Sequence, residues 1–288
     1  MNEYGRFLGS KETSEDAQIV IMGAPMDWTA SFRPGSRFGP ERIRSVSESL
    51  EEYSLHLRRD LQDVPFYDAG DLILPFGDVR ESLKIINDAA VRLYKGGKTP
   101  CFLGGEHLVT LPLVEAASSV YPDLFVFHFD AHMDLRSGYL GQRYSHASVM
   151  RYVSEAIGEK RLFQFGIRSG IEEEVEYGKD KIQSYSVDFF SDLKRLIDYA
   201  SSSPIYISLD IDVVDPAFAP GTGTPEPGGI SSREIIEVIH AFHEISTNIV
   251  GFDLVEVAPP YDHSDITSIL AAKVLREAIF ICSDKKSG

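Results

Sequence analysis

The chain has little cysteine: Cys101 and Cys282 are the only two in 288 residues. Two cysteines are too few for a disulfide framework. Each sits in an apolar stretch (Thr99 to Leu103, Ile279 to Cys282) and is expected to be a reduced core residue. The chain also lacks any apolar run approaching the length of a membrane-spanning helix, so none is expected. Met1 to Gln18 is polar and has no apolar signal core, which predicts a cytoplasmic protein. Positive charge is short as well. Lys and Arg number 28 against 44 Asp and Glu, a net charge of −16. Bulk charge of this sign does not attract nucleic acid or an anionic membrane. It suits cations, either metal ions or a positively charged small substrate. Gly and Pro are at ordinary levels, 23 and 15 residues, which excludes collagenous and low-complexity tracts.

What is present is a regular alternation of short apolar runs and longer amphipathic segments. Strands are expected at Gln18 to Gly23, Thr99 to Gly104, Leu124 to Phe129, Leu162 to Ile167, Ile205 to Ile211 and Ile249 to Val257. Helices are expected at Asp78 to Lys95, His107 to Ser118, Ser145 to Ala156, Asp188 to Ala200, Ser232 to Ile245 and Ser264 to Ile281. This alternation predicts one α/β domain over 1–288, with a mostly parallel sheet of six or seven strands covered on both faces. In such sheets ligands bind beyond the carboxyl ends of the strands.

Three segments at predicted strand ends carry chemistry. Leu103-Gly104-Gly105-Glu106-His107 delivers a histidine through a tight glycine turn. Asp130-Ala131-His132-Met133-Asp134 follows LFVFHF; in extended backbone its three ionisable side chains share one face. Asp210 and Asp212, in SLDIDVVDP, repeat that spacing. The glycine-punctuated loop Pro220 to Pro225 is suited to lining a site. Carboxylates and imidazoles converging on buried strand ends require compensation, and divalent cations supply it. Two histidines and four carboxylates, without cysteine, suit Mn²⁺ better than structural Zn²⁺. Six ligands exceed what one ion usually takes while keeping an open position, so two ions are expected, bridged by shared carboxylates and lowering the pKa of a water between them.

The same segments resemble the ureohydrolase family of arginases and agmatinases. GGEH at 104–107, DAHMD at 130–134, SLDIDVVDP at 208–216, PGTGTPEPGG at 220–229 and VEVAPP at 255–260 occur in the family's order, with Gly23-Ala24-Pro25, Arg33 to Pro40 and Asp68-Ala69-Gly70-Asp71 upstream. The resemblance runs over nearly the whole chain. It implies a three-layer α/β/α fold and two Mn²⁺ ions, the first held by His107, Asp130, Asp134 and Asp210, the second by His132, Asp130, Asp210 and Asp212. Asp130 and Asp210 would bridge. It implies hydrolysis of a guanidinium group to release urea, with Asp134, His146 and Glu256 as catalytic residues. Glu256 would pair with the guanidinium, and His146 would contact substrate or move a proton. Asp253 would orient a ligand histidine. His128 shares the face of Asp130 by parity and is read as a supporting or core histidine. Trimers or hexamers are the family's usual assemblies. The sequence departs from the commonest family pattern at Glu106 (usually Asp), Met133 (usually Thr) and Ala147 (usually Gly).

The loop 135–145 lacks the arginase-type Asn-x-His signature and is closer to what agmatinases carry. The expected substrate is therefore agmatine, a small carboxylate-free cation cleaved to urea and putrescine. Arg136 and Arg143 keep a carboxylate-bearing substrate open: guanidinobutyrate, formiminoglutamate or arginine. A structural or regulatory descendant would have lost ligands, and all six are present. A deacetylase of the related fold would need one metal ion and a different ligand set.

Overall fold

The computed structural model describes residues 5–11, 13–245 and 247–283. Its core is an eight-stranded sheet in the order β4-β1-β5-β10-β9-β6-β7-β8. The strands are β1 (Ile19–Ala24), β4 (Phe66–Asp71), β5 (Thr99–Gly104), β6 (Phe125–Phe129), β7 (Leu162–Phe165), β8 (Gln183–Tyr185), β9 (Pro204–Asp210) and β10 (Asn248–Val255), and every neighbouring pair is parallel. A separate two-residue hairpin joins β2 (Tyr53–Ser54) to β3 (Arg59–Asp60).

The helices form two outer layers. On one face α2 (Val79–Lys95), α3 (Thr110–Val120) and α4 (Val149–Ile157) pack on Phe102, Val126 and Tyr206. On the other, α1 (Gly39–Ser47), α6 (Phe190–Ala200), α7 (Ser232–Glu244) and α8 (Ile266–Ser283) pack on Phe127, Phe129, Ile207 and Phe252. The expected three-layer α/β/α fold is observed. Burial on both faces explains why β5 and β9 read as continuous apolar runs. Helix ends follow their capping signals. Asp78 accepts from Glu81 N (3.0 Å) to start α2, and Ser231 forms a capping box with Glu234 at α7.

The differences from expectation fall at weakly patterned places. Strands β4 and β8 are the two edges of the sheet and are only partly buried, so neither carries the run that marks a central strand. Helix α5 (Glu172–Gly178) is a short acidic surface turn, and α1 hides its role behind a buried Arg44 that pairs with Asp68 (2.7 Å) and Asp71 on β4. Those ion pairs give the Asp68 to Asp71 motif a structural role. The helices expected from His107 and Ser145 open as 3₁₀ turns, with α3 and α4 starting at Thr110 and Val149.

The chain visits β1, β4 and β5 first. It then crosses to β6 and leaves a gap that β9 and β10 fill later. The loops after β5, β6, β9 and β10 therefore meet at one end of the sheet, a crevice of the kind where α/β sheets bind ligands.

Gly104 and Gly105 make this meeting possible. A Cβ on Gly105 would stand 1.9 Å from Met26 O, and one on Gly104 would stand 2.6 Å from Val255 Cγ1. Backbone bonds from Gly105 N to Ala24 O (2.9 Å) and from Glu256 N to Gly105 O (2.8 Å) lace the loops after β1, β5 and β10 together. Gly105→Ala should force these loops apart and cost at least about 1–3 kcal/mol of stability, as overpacking does. Denaturant unfolding of the purified variant checks this; an unchanged midpoint would contradict the close packing described.

Among the described residues, no helix is long and apolar enough to cross a membrane. Both cysteines are buried and neither is in a disulfide, as expected, with their sulfurs 3.8 Å apart.

Candidate active site

Strand parity builds a polar stripe on the face covered by α2, α3 and α4. Odd positions of β6 and β9 (Phe127, Phe129, Ile207, Leu209) enter the opposite core. The alternate positions place His128, Asp130, Ser208 and Asp210 on the stripe, and β10 adds Asp253, in register with Ser208. All five are buried.

His107, on the 3₁₀ turn after β5, is the centre of the first cluster. Its Nδ1 lies 3.0 Å from Asp130 Oδ2, 3.3 Å from Asp210 Oδ2 and 3.4 Å from Asp134 Oδ2. Its Nε2 is 3.0 Å from Ser208 Oγ, whose own proton goes to Asp253 Oδ1 at 2.8 Å. Nε2 must then carry a hydrogen, so in the neutral ring Nδ1 is bare. That atom is buried and in hydrogen-bond geometry with nothing, while facing three carboxylates. A divalent cation at their centre would take the place of a second proton on the ring and satisfy the imidazole and all three carboxylates together. Burial opposes a charged imidazole, yet Asp130 and Asp210 hold His107 well above the ordinary value. Burial and mutual repulsion push Asp134 and Asp210 up. The geometry thus fits a metal ion.

His132 presents the second cluster. Its Nδ1 lies 3.1 Å from Asp212 Oδ2 and 3.3 Å from Asp130 Oδ1. Asp130 therefore offers one oxygen to each histidine, the shape of a bridging carboxylate. Asp212 is held in place by Ala131 N on Oδ1 (3.0 Å), and Asp210 by Asp212 N (2.8 Å).

The expected extended backbone through 130–134 is not what assembles the group. β6 ends at Phe129, and Asp134 sits at φ 54°, a left-handed conformation. Its carbonyl accepts Met150 N (3.0 Å) and Arg151 N (3.2 Å) at the start of α4, which pins this turn and swings the carboxylate back toward His107. Asp212 likewise lies on a 3₁₀ turn after β9 rather than on an extended face. Glu256 is also left-handed, at φ 63°. Non-glycine residues held in this region mark places where packing overrides backbone preference.

His128 resolves as a supporting histidine. Gln164 Nε2 donates to Met133 O (2.7 Å), which can only accept, so the same amide nitrogen also donates to His128 Nδ1 at 3.0 Å. His128 therefore carries its proton on Nε2 and donates it to Asp130 Oδ2 at 2.9 Å. Burial pushes His128 down to about 4, which keeps it neutral. Gln164→Leu removes both donors and should weaken metal retention by about 10- to 100-fold, as loss of a ligand's partner does. Competition with a chelator measures this; unchanged retention would show that Asp130 needs no such support.

The cavity above the clusters has a volume of about 310 Å³ and is lined by His107, His132, Asp134, Arg136, Tyr139, His146, Glu174, Thr224 and Glu256, among others. Glu256 Oε1 accepts His107 N at 2.8 Å. Burial, with the charge of Glu106 beside it, pushes Glu256 up to about 8, and a cationic ligand beside it would favour its anion again. His146 stands on the wall, with Nε2 3.2 Å from Ser31 Oγ and Nδ1 3.4 Å from Thr29 Oγ1. Arg136 lines the cavity but stacks on Tyr139 (4.6 Å) and approaches buried Glu174 (3.8 Å). Arg143 turns to Tyr144 and Tyr152 instead. The loop 220–229 is clamped by Arg168, whose guanidinium donates to Asp212 O (2.7 Å) and Glu226 O (2.6 Å).

The arginase family profile matches residues 17–281. The chain belongs to the arginase family. It is 49% identical to an agmatinase of Bacillus anthracis, over 95% of this chain and 94% of that one. An N(1)-aminopropylagmatine ureohydrolase of Thermococcus kodakarensis is 40% identical, over 91% and 89% of the two chains. The crystal structure of agmatine ureohydrolase of Thermoplasma volcanium superposes with a TM-score of 0.89 at 34% identity, covering 99% of this chain and 96% of that one. The resemblance read from the motifs is therefore a true membership, and the fold goes with it.

In this arginase-family chain the six expected ligands converge, with Glu256 and His146 on the same cavity. Asp253 reaches His107 only through Ser208. Motif spacing did not disclose Thr29, Ser31, Gln164, Ser208 or Glu174. Thr29 and Ser31 lie between Gly23-Ala24-Pro25 and Arg33 to Pro40, two stretches that already matched the family, and that neighbourhood was the available signal.

Proposed function

We propose that the chain is an agmatinase: a binuclear Mn²⁺ hydrolase that cleaves the guanidinium group of agmatine to urea and putrescine. It is a hydrolase of the arginase family acting on guanidino C–N bonds. One observation carries the metal reading: the buried Nδ1 of His107, in hydrogen-bond geometry with nothing, facing three carboxylates. His107, Asp130, Asp134 and Asp210 would hold one ion, and His132, Asp130, Asp210 and Asp212 the other. When bound, the ions supply a hydroxide nucleophile near neutral pH.

The protein's own side chains do the rest. Glu256 binds the guanidinium by charge-assisted hydrogen bonds and orients its carbon over the metal floor. Asp134 is a ligand that also faces the cavity, where it takes the proton released on attack. His146 contacts the substrate from the opposite wall, where its Nε2 can accept an N–H of the substrate and take up a proton in transit to the leaving amine.

The choice of agmatine is supported by the state of the arginines. Arg143 lies off the cavity lining, and Arg136 is matched by Glu174 and Tyr139. A carboxylate-bearing substrate would have to compete for that pairing. The relatives named above point the same way. The chain acts as one ureohydrolase domain, forms a homo-oligomer, takes neither nucleic acid nor membrane as partner, and works in the cytoplasm, a location that suits two buried cysteines outside any disulfide.

A urea-release assay with Mn²⁺ across agmatine, N(1)-aminopropylagmatine, arginine, guanidinobutyrate and formiminoglutamate tests the substrate. Agmatine should give the highest kcat/KM. A preference for any carboxylate-bearing compound would overturn the assignment.

A further inference from the structure

We propose that Glu106, acting through the Thr29 hydroxyl, holds His146 in the tautomer that carries its proton on Nδ1 and turns a bare Nε2 toward the cavity. The consequence for turnover rests on the reading of His146 given above; the tautomer itself does not.

The hydrogen bonds run in one direction only. Glu106 is fully buried behind the Gly104-Gly105 turn. Its Oε2 receives Thr29 N at 2.8 Å and Thr29 Oγ1 at 2.6 Å. A backbone N–H can only donate, so Oε2 is an acceptor. With the Thr29 amide and hydroxyl both directed at it, Oε2 serves as the double acceptor, while Oε1 is buried without a hydrogen-bond partner. The single Thr29 hydroxyl proton is thereby spent on Glu106. What Thr29 Oγ1 has left are lone pairs. It accepts His146 N at 3.0 Å, and His146 Nδ1 lies 3.4 Å away. Nδ1 must present a hydrogen to it.

Burial pushes His146 down to about 4, so the ring is neutral and the other nitrogen is bare. That nitrogen, Nε2, is 3.2 Å from Ser31 Oγ, and both residues line the cavity. A guanidinium and an amine offer N–H donors. A bare Nε2 complements them, whereas the opposite tautomer would aim a hydrogen at a hydrogen. Glu106 stands where the family pattern more commonly has Asp. One methylene fewer would withdraw the carboxylate from Thr29, so this residue choice and the Thr29 contact belong together. Glu106 is a positioning residue, two hydrogen bonds removed from the reacting atoms.

The test uses Thr29→Val, Thr29→Ser, Glu106→Ala and Glu106→Gln in the Mn²⁺-loaded enzyme. Thr29→Val should lower kcat by about 10- to 100-fold with KM little changed, and Glu106→Ala should lower kcat by a similar factor. Thr29→Ser keeps the hydroxyl, and Glu106→Gln keeps an acceptor oxygen, so kcat should stay near wild type in both; KM is compared only in the Thr29 variants, because the Glu106 charge also acts on Glu256. In a His146→Ala background, Thr29→Val and Glu106→Ala should add no further loss. Equal losses with and without His146 would show that Glu106 acts through His107 or Glu256 and would overturn the proposal.

A second readout needs no turnover. In zinc-loaded, ¹⁵N-histidine-labelled protein, the ring signal that vanishes in His146→Ala should report the Nδ1–H tautomer. That tautomer should be lost in Thr29→Val and retained in Thr29→Ser. An Nε2–H signal in the wild type, or an Nδ1–H signal that survives Thr29→Val, would overturn the proposal. If agmatine is not the substrate but the tautomer responds as stated, only the functional reading fails.

Discussion

Asp130→Ala is expected to lower urea release from agmatine by at least about 1,000-fold, or about 4 kcal/mol of barrier. No other side chain serves both clusters so directly. Oδ2 lies 3.0 Å from His107 Nδ1 and Oδ1 lies 3.3 Å from His132 Nδ1. Its loss would take a shared ligand from the two proposed ions and leave Nε2 of His128 without an acceptor. Three facing histidines overcome the burial of Asp130 and keep it ionised, well below the usual carboxylate range. The fold should survive, because the strand that carries it is anchored by Phe127 and Phe129 in the opposite core. Circular dichroism and metal analysis separate the outcomes: a folded chain with reduced metal content fits the account, and near-normal turnover with Mn²⁺ supplied does not.

Glu256→Gln should be the second-largest loss, for a different reason. The carboxylate is buried, and its Oε1 is occupied by His107 N. Replacing it by a neutral amide would leave the guanidinium charge without a partner at a buried position. Breaking a buried pair in this way costs about 3–5 kcal/mol, or about 150- to 5,000-fold in kcat/KM. Metal content should remain that of the wild type, since Glu256 is assigned to the substrate. A variant that loses metal instead of substrate affinity would move Glu256 into the ligand set.

Much of this site was legible before any coordinates because its chemistry sits at strand ends and its strands are central. An apolar run such as IYISLDI announces a buried strand, and carboxylates at its end have few bland explanations. The edge strands β4 and β8 carry no such run, and both were missed. The way the ligands come together was misread where it depended on turns. Asp134 reaches the site through a left-handed residue capped onto α4, and Asp212 through a 3₁₀ turn, whereas side-chain parity assumes extended backbone. Parity did place His128 beside Asp130, and the amide of Gln164 then decided which of its nitrogens faces the metal floor. Thr29, Ser208 and Gln164 were invisible as functional residues. Each is an ordinary polar side chain whose meaning depends on a partner far away in sequence, 77 residues in the case of Thr29 and Glu106.

A pair of ions working on a carboxylate-free guanidinium is tested by titrating metal-stripped protein with Mn²⁺ while urea release from agmatine is followed. Activity should appear with added metal and saturate at about two equivalents per chain. Saturation at one equivalent, or urea release that ignores added Mn²⁺, would rule out the binuclear centre.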